Sequence, residues 1–318
     1  MTRVRLCLFS MLCLVGCYDL TFRPDDHTVT DFSVLAVHVD PPVLRPDAPL
    51  RASVLFADPS GDPTSVRGAW SVRLYDNGMG SHFVAEAIVS GMDEMGTGVY
   101  LPPPVFRLND KQGTPSLMLM VYLCHGGFRA PARVGRVPES ELLHTLCVEG
   151  APATGVKFID IPSSDAPQQN PRIERVYLNG TALRAVEDGG EAVDACGGRR
   201  VCGDIRLQLE TYLDLESIDT YPNADIVLAD GGPLPDGGVT PARYPERHRI
   251  DWYVTRGALA TPGSTGFPTN FEEAAGPYRN TWRLSKKEAK GEAFFYVVVR
   301  DIRGGNDFRS FRVRFGGD

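Results

Sequence analysis

EAFFYVVVRDIRGGNDFRSFRVRF, residues 292–315, decides the fold of this 318-residue chain. Ala293 to Val299 is a nearly continuous apolar run, which suits a central strand covered on both faces. Asp301–Asp307 (DIRGGND) collects turn formers. Phe308–Phe315 then alternates, with Phe311, Val313 and Phe315 against Arg312 and Arg314, as a strand with one face on a core does.

The same grammar extends backwards. His248–Thr255 sets Ile250, Trp252 and Val254 on one face, and Asp204–Tyr212 does so with Ile205, Leu207 and Leu209. Arg172–Leu178 runs into the hairpin dipeptide Asn179-Gly180. Before it, Ser163–Pro171 (SSDAPQQNP) is polar and Pro-bounded, a linker. An earlier series then appears. Ser33–Val39 alternates, with Val34, Ala36 and His38 against Leu35, Val37 and Val39. Leu50–Ala57 turns Leu50, Ala52, Val54 and Phe56 one way, and Trp70–Tyr75 does so with Trp70, Val72 and Leu74. Val99–Leu101, Leu117–Cys124 and Val156–Ile161 continue it, and Leu142, Leu143 and Leu146 predict a short helix over Glu139–Leu146. Many short strands separated by turn signals predict an all-β chain with two tandem β-sandwiches, residues 31–162 and 172–318, joined by the linker 163–171. Trp70 and Trp252 occupy matching places, and both read as core pins. Ala229–Glu246 (ADGGPLPDGGVTPARYPE) reads as an exposed loop.

The N-terminus has a separate logic. Arg3 and Arg5 precede the apolar residues Leu6–Val15, a run too short for a permanent membrane helix. Leu14-Val15-Gly16-Cys17 has the form of a bacterial lipobox. That resemblance implies a signal peptide over residues 1–16, cleavage before Cys17 and lipidation of Cys17, including an added acyl chain such as palmitate. A generic secretory signal cut elsewhere is the alternative. One acyl chain holds marginally, at about 0.8 kcal/mol per buried methylene, whereas two or three hold essentially permanently. Residues 17–30 are polar and contain Pro24, Asp25 and Asp26, so they read as a flexible tether with a reach of roughly 40 Å. Tyr18, not Asp, follows the cysteine and does not match the common inner-membrane retention signal. The expected location is therefore the outer membrane, with the domains facing the periplasm or the cell exterior.

Loss of Arg3 and Arg5 with the signal takes the formal charge from −7 to −9. An acidic chain whose charges are spread along its length argues against nucleic-acid binding and a polybasic membrane hold. Basic residues are mostly arginine, the lysines being Lys111, Lys157, Lys286, Lys287 and Lys290. Cys7 and Cys13 leave with the signal. Of the seven cysteines, Cys124, Cys147, Cys196 and Cys202 then remain for disulfides in an exported chain. They allow three connectivities, and Cys124–Cys147 with Cys196–Cys202 keeps each bond within one domain. Cys124-His125 and His144-x-x-Cys147 would alternatively supply four zinc ligands.

Residues 33–75 carry a family resemblance. Leu35–Val39, Asp40-Pro41-Pro42, Arg45-Pro46, Leu50–Ala57, Asp58-Pro59-Ser60-Gly61 and Ala69–Tyr75 follow one another as in secreted bacterial lipoproteins with immunoglobulin-like domains. Val297–Asn306 (VVVRDIRGGN) resembles the ending of PKD-type and other immunoglobulin-like modules, and the likeness covers most of 33–75 and 172–318. Tyr122-Leu123-Cys124 is similar to the Tyr-x-Cys of an immunoglobulin F strand. The strand that should supply its partner carries Ala52, Val54 and Phe56 and no cysteine. The resemblance implies a fold and no functional residue beyond Cys17.

Catalytic patterns are absent from the sequence. It contains no H-E-x-x-H, no G-x-S-x-G and no S-x-x-K, and Gly263-Ser264-Thr265-Gly266 lacks the elbow spacing. Glu272-Glu273 is a carboxylate pair better explained by solvation. Asp225, Asp230 and Asp236 could offer oxygen ligands to calcium, without EF-hand or RTX spacing. Phe267, Phe271, Tyr278 and Trp282 could form a stacking platform for sugar or a satellite core under a loop. The expectation is a non-catalytic, membrane-anchored envelope protein without cofactor or metal, structural or adhesive, with a protein or glycan partner. A cell-wall- or glycan-binding accessory role and an unrecognised hydrolase are the alternatives.

Overall fold

The computed structural model describes residues 27–43, 49–59, 65–76, 82–88, 97–101, 115–129, 147–160, 169–197, 205–221, 244–261, 263–265, 268, 270–285, 290–301 and 303–316. Both halves are immunoglobulin-like β-sandwiches. In the first, one sheet runs β1 (Ser33–Asp40), β2 (Leu50–Ala57), β5 (Gly98–Leu101). The facing sheet runs β4 (His82–Ile88), β3 (Val66–Asp76), β6 (Pro115–Phe128), β7 (Cys147–Asp160). Their inner faces meet in a core that contains Val34, Val37, Leu50, Val54, Trp70, Leu119, Leu123 and Ile159.

In the second sandwich one sheet runs β10 (Val193–Asp194), β19 (Asn306–Phe315), β18 (Gly291–Asp301), β14 (His248–Val254), β16 (Gly263–Thr265). Opposite lie β15 (Ala258–Leu259), β17 (Tyr278–Leu284), β11 (Ile205–Leu213), β8 (Ile173–Leu178), β9 (Thr181–Leu183). A short ladder pairs β12 (Thr220–Tyr221) with β13 (Tyr244–Pro245), and helix α1 (Phe271–Ala275) starts at Asn270, whose side chain accepts from the Glu273 amide.

The expected pattern places most of these strands. Asn179 (φ 49°) and Gly180 (φ 81°) are both left-handed, as a two-residue hairpin between β8 and β9 requires. Trp70 and Trp252 are buried pins, and the Trp252 indole donates to Thr211 Oγ1 at 3.2 Å. Ala293 to Val299 is covered on both faces, except for the half-buried Phe294.

Three expectations need correction. A bulge between Val34 and Ala36 breaks the alternation of β1, so Val34 joins Val37 and Val39 in the core while Leu35, Ala36 and His38 face outward. The segment Ala229–Glu246 does not end as an exposed loop: Pro245 is buried in the β12–β13 ladder and Glu246 is fully buried. Tyr278 and Trp282 lie on β17 with their rings in the main core, so they are neither a sugar platform nor a satellite cluster. The predicted helix Glu139–Leu146 lies outside the described residues.

Close approach sets one glycine. A Cβ on Gly155 of β7 would sit 2.7 Å from Val34 Cγ1 and 2.9 Å from Val37 Cγ2. The first sandwich closes there, β7 against β1, at a separation only glycine allows.

Candidate functional site at the domain junction

The second sandwich turns Tyr253, Tyr296 and Val298 away from its own core, yet all three are buried. They pack with Leu35, Ala36, Leu55 and Ala57 from the outer face of β1 and β2, and with Val29, in one apolar cluster shared by both domains. The β1 bulge makes this possible by placing Leu35 and Ala36 side by side on the outer face. Apolar surface removed from water contributes about 25 cal/mol per Å², so the contact disfavours independent domain motion.

A polar lattice rims that cluster. Arg300 ends the apolar run of β18. Its guanidinium pairs with the wholly buried Asp251 carboxylate and donates to the Leu35 carbonyl of the first domain at 2.9 Å. Arg249 Nε donates to the other oxygen of Asp251 at 2.8 Å. Asn306 Nδ2 donates to the Val37 carbonyl and Asn170 Nδ2 to the Val39 carbonyl, each at 2.8 Å, and the Asn306 amide donates to Asn170 Oδ1 at 3.0 Å. His38 Nδ1 donates to the Asn306 carbonyl, and Lys157 Nζ from β7 donates to the Gly304 carbonyl. The turn DIRGGND is thus a plug received by the first domain.

The flexible tether and the linker of the sequence reading are both docked at their described ends. Of the tether 17–30, residues 27–29 run parallel to β14: the Val29 amide donates to the Val254 carbonyl at 2.7 Å, and the His27 ring stacks on Tyr253 at 5.4 Å. Of the linker 163–171, Gln169 donates its amide to Asp219 Oδ2 at 3.1 Å and Asn170 bridges the domains as above. Short polar residues suggested freedom, but they satisfy backbone groups that the docked sheets leave open.

Beneath the plug lies a charged nest. Arg303 donates to both oxygens of Glu246, at 2.8 and 2.9 Å, and to Asp219 Oδ2 at 2.7 Å. Burial pushes the Glu246 carboxyl up, against the pull of Arg303; burial and the nearby Glu246 push the Asp301 carboxyl up as well. His248, opposite Asp301 in the β14–β18 ladder, is 2% exposed, and neither ring nitrogen has a hydrogen-bond partner among the described residues. Burial, with Arg303 adding to it, holds its pKa down at about 4.

That depression has a definite sign. The unfolded chain takes up this proton below about pH 6.5 and the folded chain only near 4. The stability due to neutral His248 is therefore full above 6.5 and falls by about 3 kcal/mol as the pH drops through that window. Asp301, held up in the fold, acts with the opposite sign, so a variant comparison isolates the histidine. His248→Leu is expected to gain stability over the native chain at pH 4.5 relative to pH 7 in urea unfolding. An equal difference at both pH values would contradict the assignment.

A second cluster lies at the base of the first sandwich. His125 Nε2 is 3.4 Å from Asp58 Oδ2, a carboxylate 2% exposed, and its Nδ1 is 3.2 Å from Ser65 Oγ, while Phe32 packs on the ring at 4.3 Å. The turn after β2, the entry to β3 and the end of β6 bring these residues together, a meeting that spacing along the chain cannot announce.

The remaining candidate residues fall as follows. Cys124 and Cys147 form a disulfide between β6 and β7, leaving neither thiolate for zinc. Cys196 is disulfide-bonded, while Cys202, His144, Asp225, Asp230, Asp236, Phe267 and the lipobox with Cys17 lie outside the described residues. Phe271 and the Glu272-Glu273 pair sit exposed on α1. Among the described residues no His, Cys, Asp and Glu group is arranged to hold a metal, and no helix is long and apolar enough to cross a membrane.

No family model and no curated protein sequence matches the chain. Solved structures similar to it include the two tandem V-type regions of VCBP3, a v-region-containing chitin binding protein, at 10% identity over 90% of this chain and 100% of that one, TM-score 0.23. A marsupial T cell receptor follows at 7% identity over 89% and 97%, TM-score 0.22. Dimeric latent PorU from Porphyromonas gingivalis matches at 13% identity and TM-score 0.21, over 91% of this chain but 24% of its own length. The chain thus spans about a quarter of that protein. Likeness at this level carries nothing about activity, and the sandwich assignment stands on sheet order and burial.

Proposed function

We propose that the chain is a non-catalytic, lipid-anchored envelope protein. Its two sandwiches form one stiff unit that holds a partner-binding surface away from an outer membrane. The observation that carries this reading is the junction, where an apolar cluster and the Arg300, Asn170, Asn306 and Lys157 contacts join the domains. Such a junction suits a spacer or adhesive stalk better than a clamp that closes on a substrate. The lipobox-like run supports the anchor at Cys17, and the outer-membrane location rests on Tyr18. Cys17→Ser is expected to move the protein from the membrane fraction to the soluble fraction, or to block its export. Membrane retention equal to that of the native chain would overturn the anchor.

The Asp58, His125 and Ser65 contacts favour a second reading, an unrecognised hydrolase in which Ser65 is the nucleophile and His125 its base. A fluorophosphonate probe would then label Ser65 and spare His125→Ala. No adduct on Ser65 in the native chain removes that reading.

A further inference from the structure

The outer face of the β8–β11–β17 sheet carries charge that no acid among the described residues compensates. In register, Arg206 of β11 lies directly opposite Arg283 of β17, Gln208 opposite Thr281, and Glu210 opposite Arg279. All alternate with core residues such as Leu207, Leu209 and Trp282, so they project outward together. Glu210 is engaged by Arg279 Nε at 3.0 Å and Gln208 Nε2 at 3.2 Å, and Arg175 is paired with Glu174. Arg206 and Arg283, both exposed, have no acidic partner among the described residues. Like charges directly opposite each other destabilise a sheet, so folding gives no reason for this pair. It faces solvent on a chain of net charge −7.

Beside the pair is an open depression of about 560 Å³ lined by Asn179, Arg206, Gln208, Thr261, Arg279 and Thr281, among others. Amides, hydroxyls and guanidinium groups around a shallow floor have the chemistry that holds sugar hydroxyls and carboxylates. Tyr177 and Tyr212 extend the face, their rings edge to face at 5.7 Å with Arg175 over Tyr212.

We propose that this face binds a carboxylate-bearing polysaccharide, with Arg206 and Arg283 clamping a carboxylate and the amide and hydroxyl side chains taking neighbouring sugar hydroxyls. Two facing guanidinium groups beside amide and hydroxyl groups fit an acidic sugar better than a nucleic-acid backbone, which would call for a longer basic stripe. The inference deepens the partner-binding role above and is independent of the anchor. Unchanged membrane retention with no glycan binding would sink it alone.

The test is affinity electrophoresis of the detergent-solubilised full chain in gels containing polygalacturonate, neutral dextran or inorganic polyphosphate. The expected result is retardation by polygalacturonate only, weakening as salt rises. Arg206→Glu would place an acid opposite Arg283, so it should leave the melting temperature unchanged or higher while weakening polygalacturonate binding about tenfold or more. Equal retardation by dextran or by polyphosphate, no retardation, or binding that survives Arg206→Glu in a folded protein would each overturn the proposal.

Discussion

Replacing Arg300 by alanine is expected to destabilise the protein by about 3 kcal/mol, the lower end of what removing one partner of a buried ion pair usually costs. The carboxylate left behind, Asp251, is wholly buried, which makes the loss large. Arg249 still reaches its Oδ1 at 2.8 Å from a partly exposed position, which keeps the loss from being larger. The same change removes the hydrogen bond to the Leu35 carbonyl, so its effect crosses the junction. Urea unfolding should show a lower midpoint, and the single transition expected of docked domains should broaden or split. A double variant, Arg300→Met with Asp251→Leu, should recover much of the loss, because an apolar pair of similar volume is often as stable as a buried ion pair. A change below about 0.5 kcal/mol in Arg300→Ala, the range of ordinary surface substitutions, would show that the junction is not held this way.

Trp282→Ala should cost about 3–5 kcal/mol, the range for emptying a large aromatic site in a core. The ring is fully buried, meets Phe295 edge to face at 4.6 Å and Phe315 at 6.0 Å, and donates its indole N–H to the Arg256 carbonyl at 2.9 Å. Gly257 (φ 78°) lets the chain pass so near the ring that a Cβ would lie 2.4 Å from Nε1. An exposed sugar-stacking tryptophan would behave differently, changing glycan binding while moving stability by no more than about 0.5 kcal/mol. Calorimetric melting of Trp282→Ala decides between the two: an unshifted transition would return Trp282 to the surface.

Much of the fold was legible because strand alternation is a local signal. Ile250, Trp252 and Val254, or Leu207 and Leu209, show their buried face whatever they pack against. The junction was only half legible. The apolar run Ala293 to Val299 announced cover on both faces but could not say that the second cover was another domain. Asp251 and Arg300, charges at the middle and end of strands otherwise buried, were the available hint of a buried pair. The bulge at Leu35 left no trace because an extra residue shifts the phase without changing composition. Tyr278 and Trp282 escape the sequence reading because two other aromatics, Phe267 and Phe271, lie close before them, which hides that β17 alternates Tyr278, Asn280, Trp282 and Leu284 inward.

By itself, the sequence determined two tandem all-β sandwiches, because a two-residue period and turn chemistry are written residue by residue. It also supplied the lipobox-like run and so the expectation of an anchored envelope protein. Tertiary structure alone decided that the domains form one unit, that Asn170 and Asn306 lock them, that Arg303 gathers Glu246 and Asp219, and that Arg206 faces Arg283 across the sheet. Those facts depend on which strands become neighbours and in what register. Pairing at long range is set by the summed burial of the whole chain, which no single segment encodes.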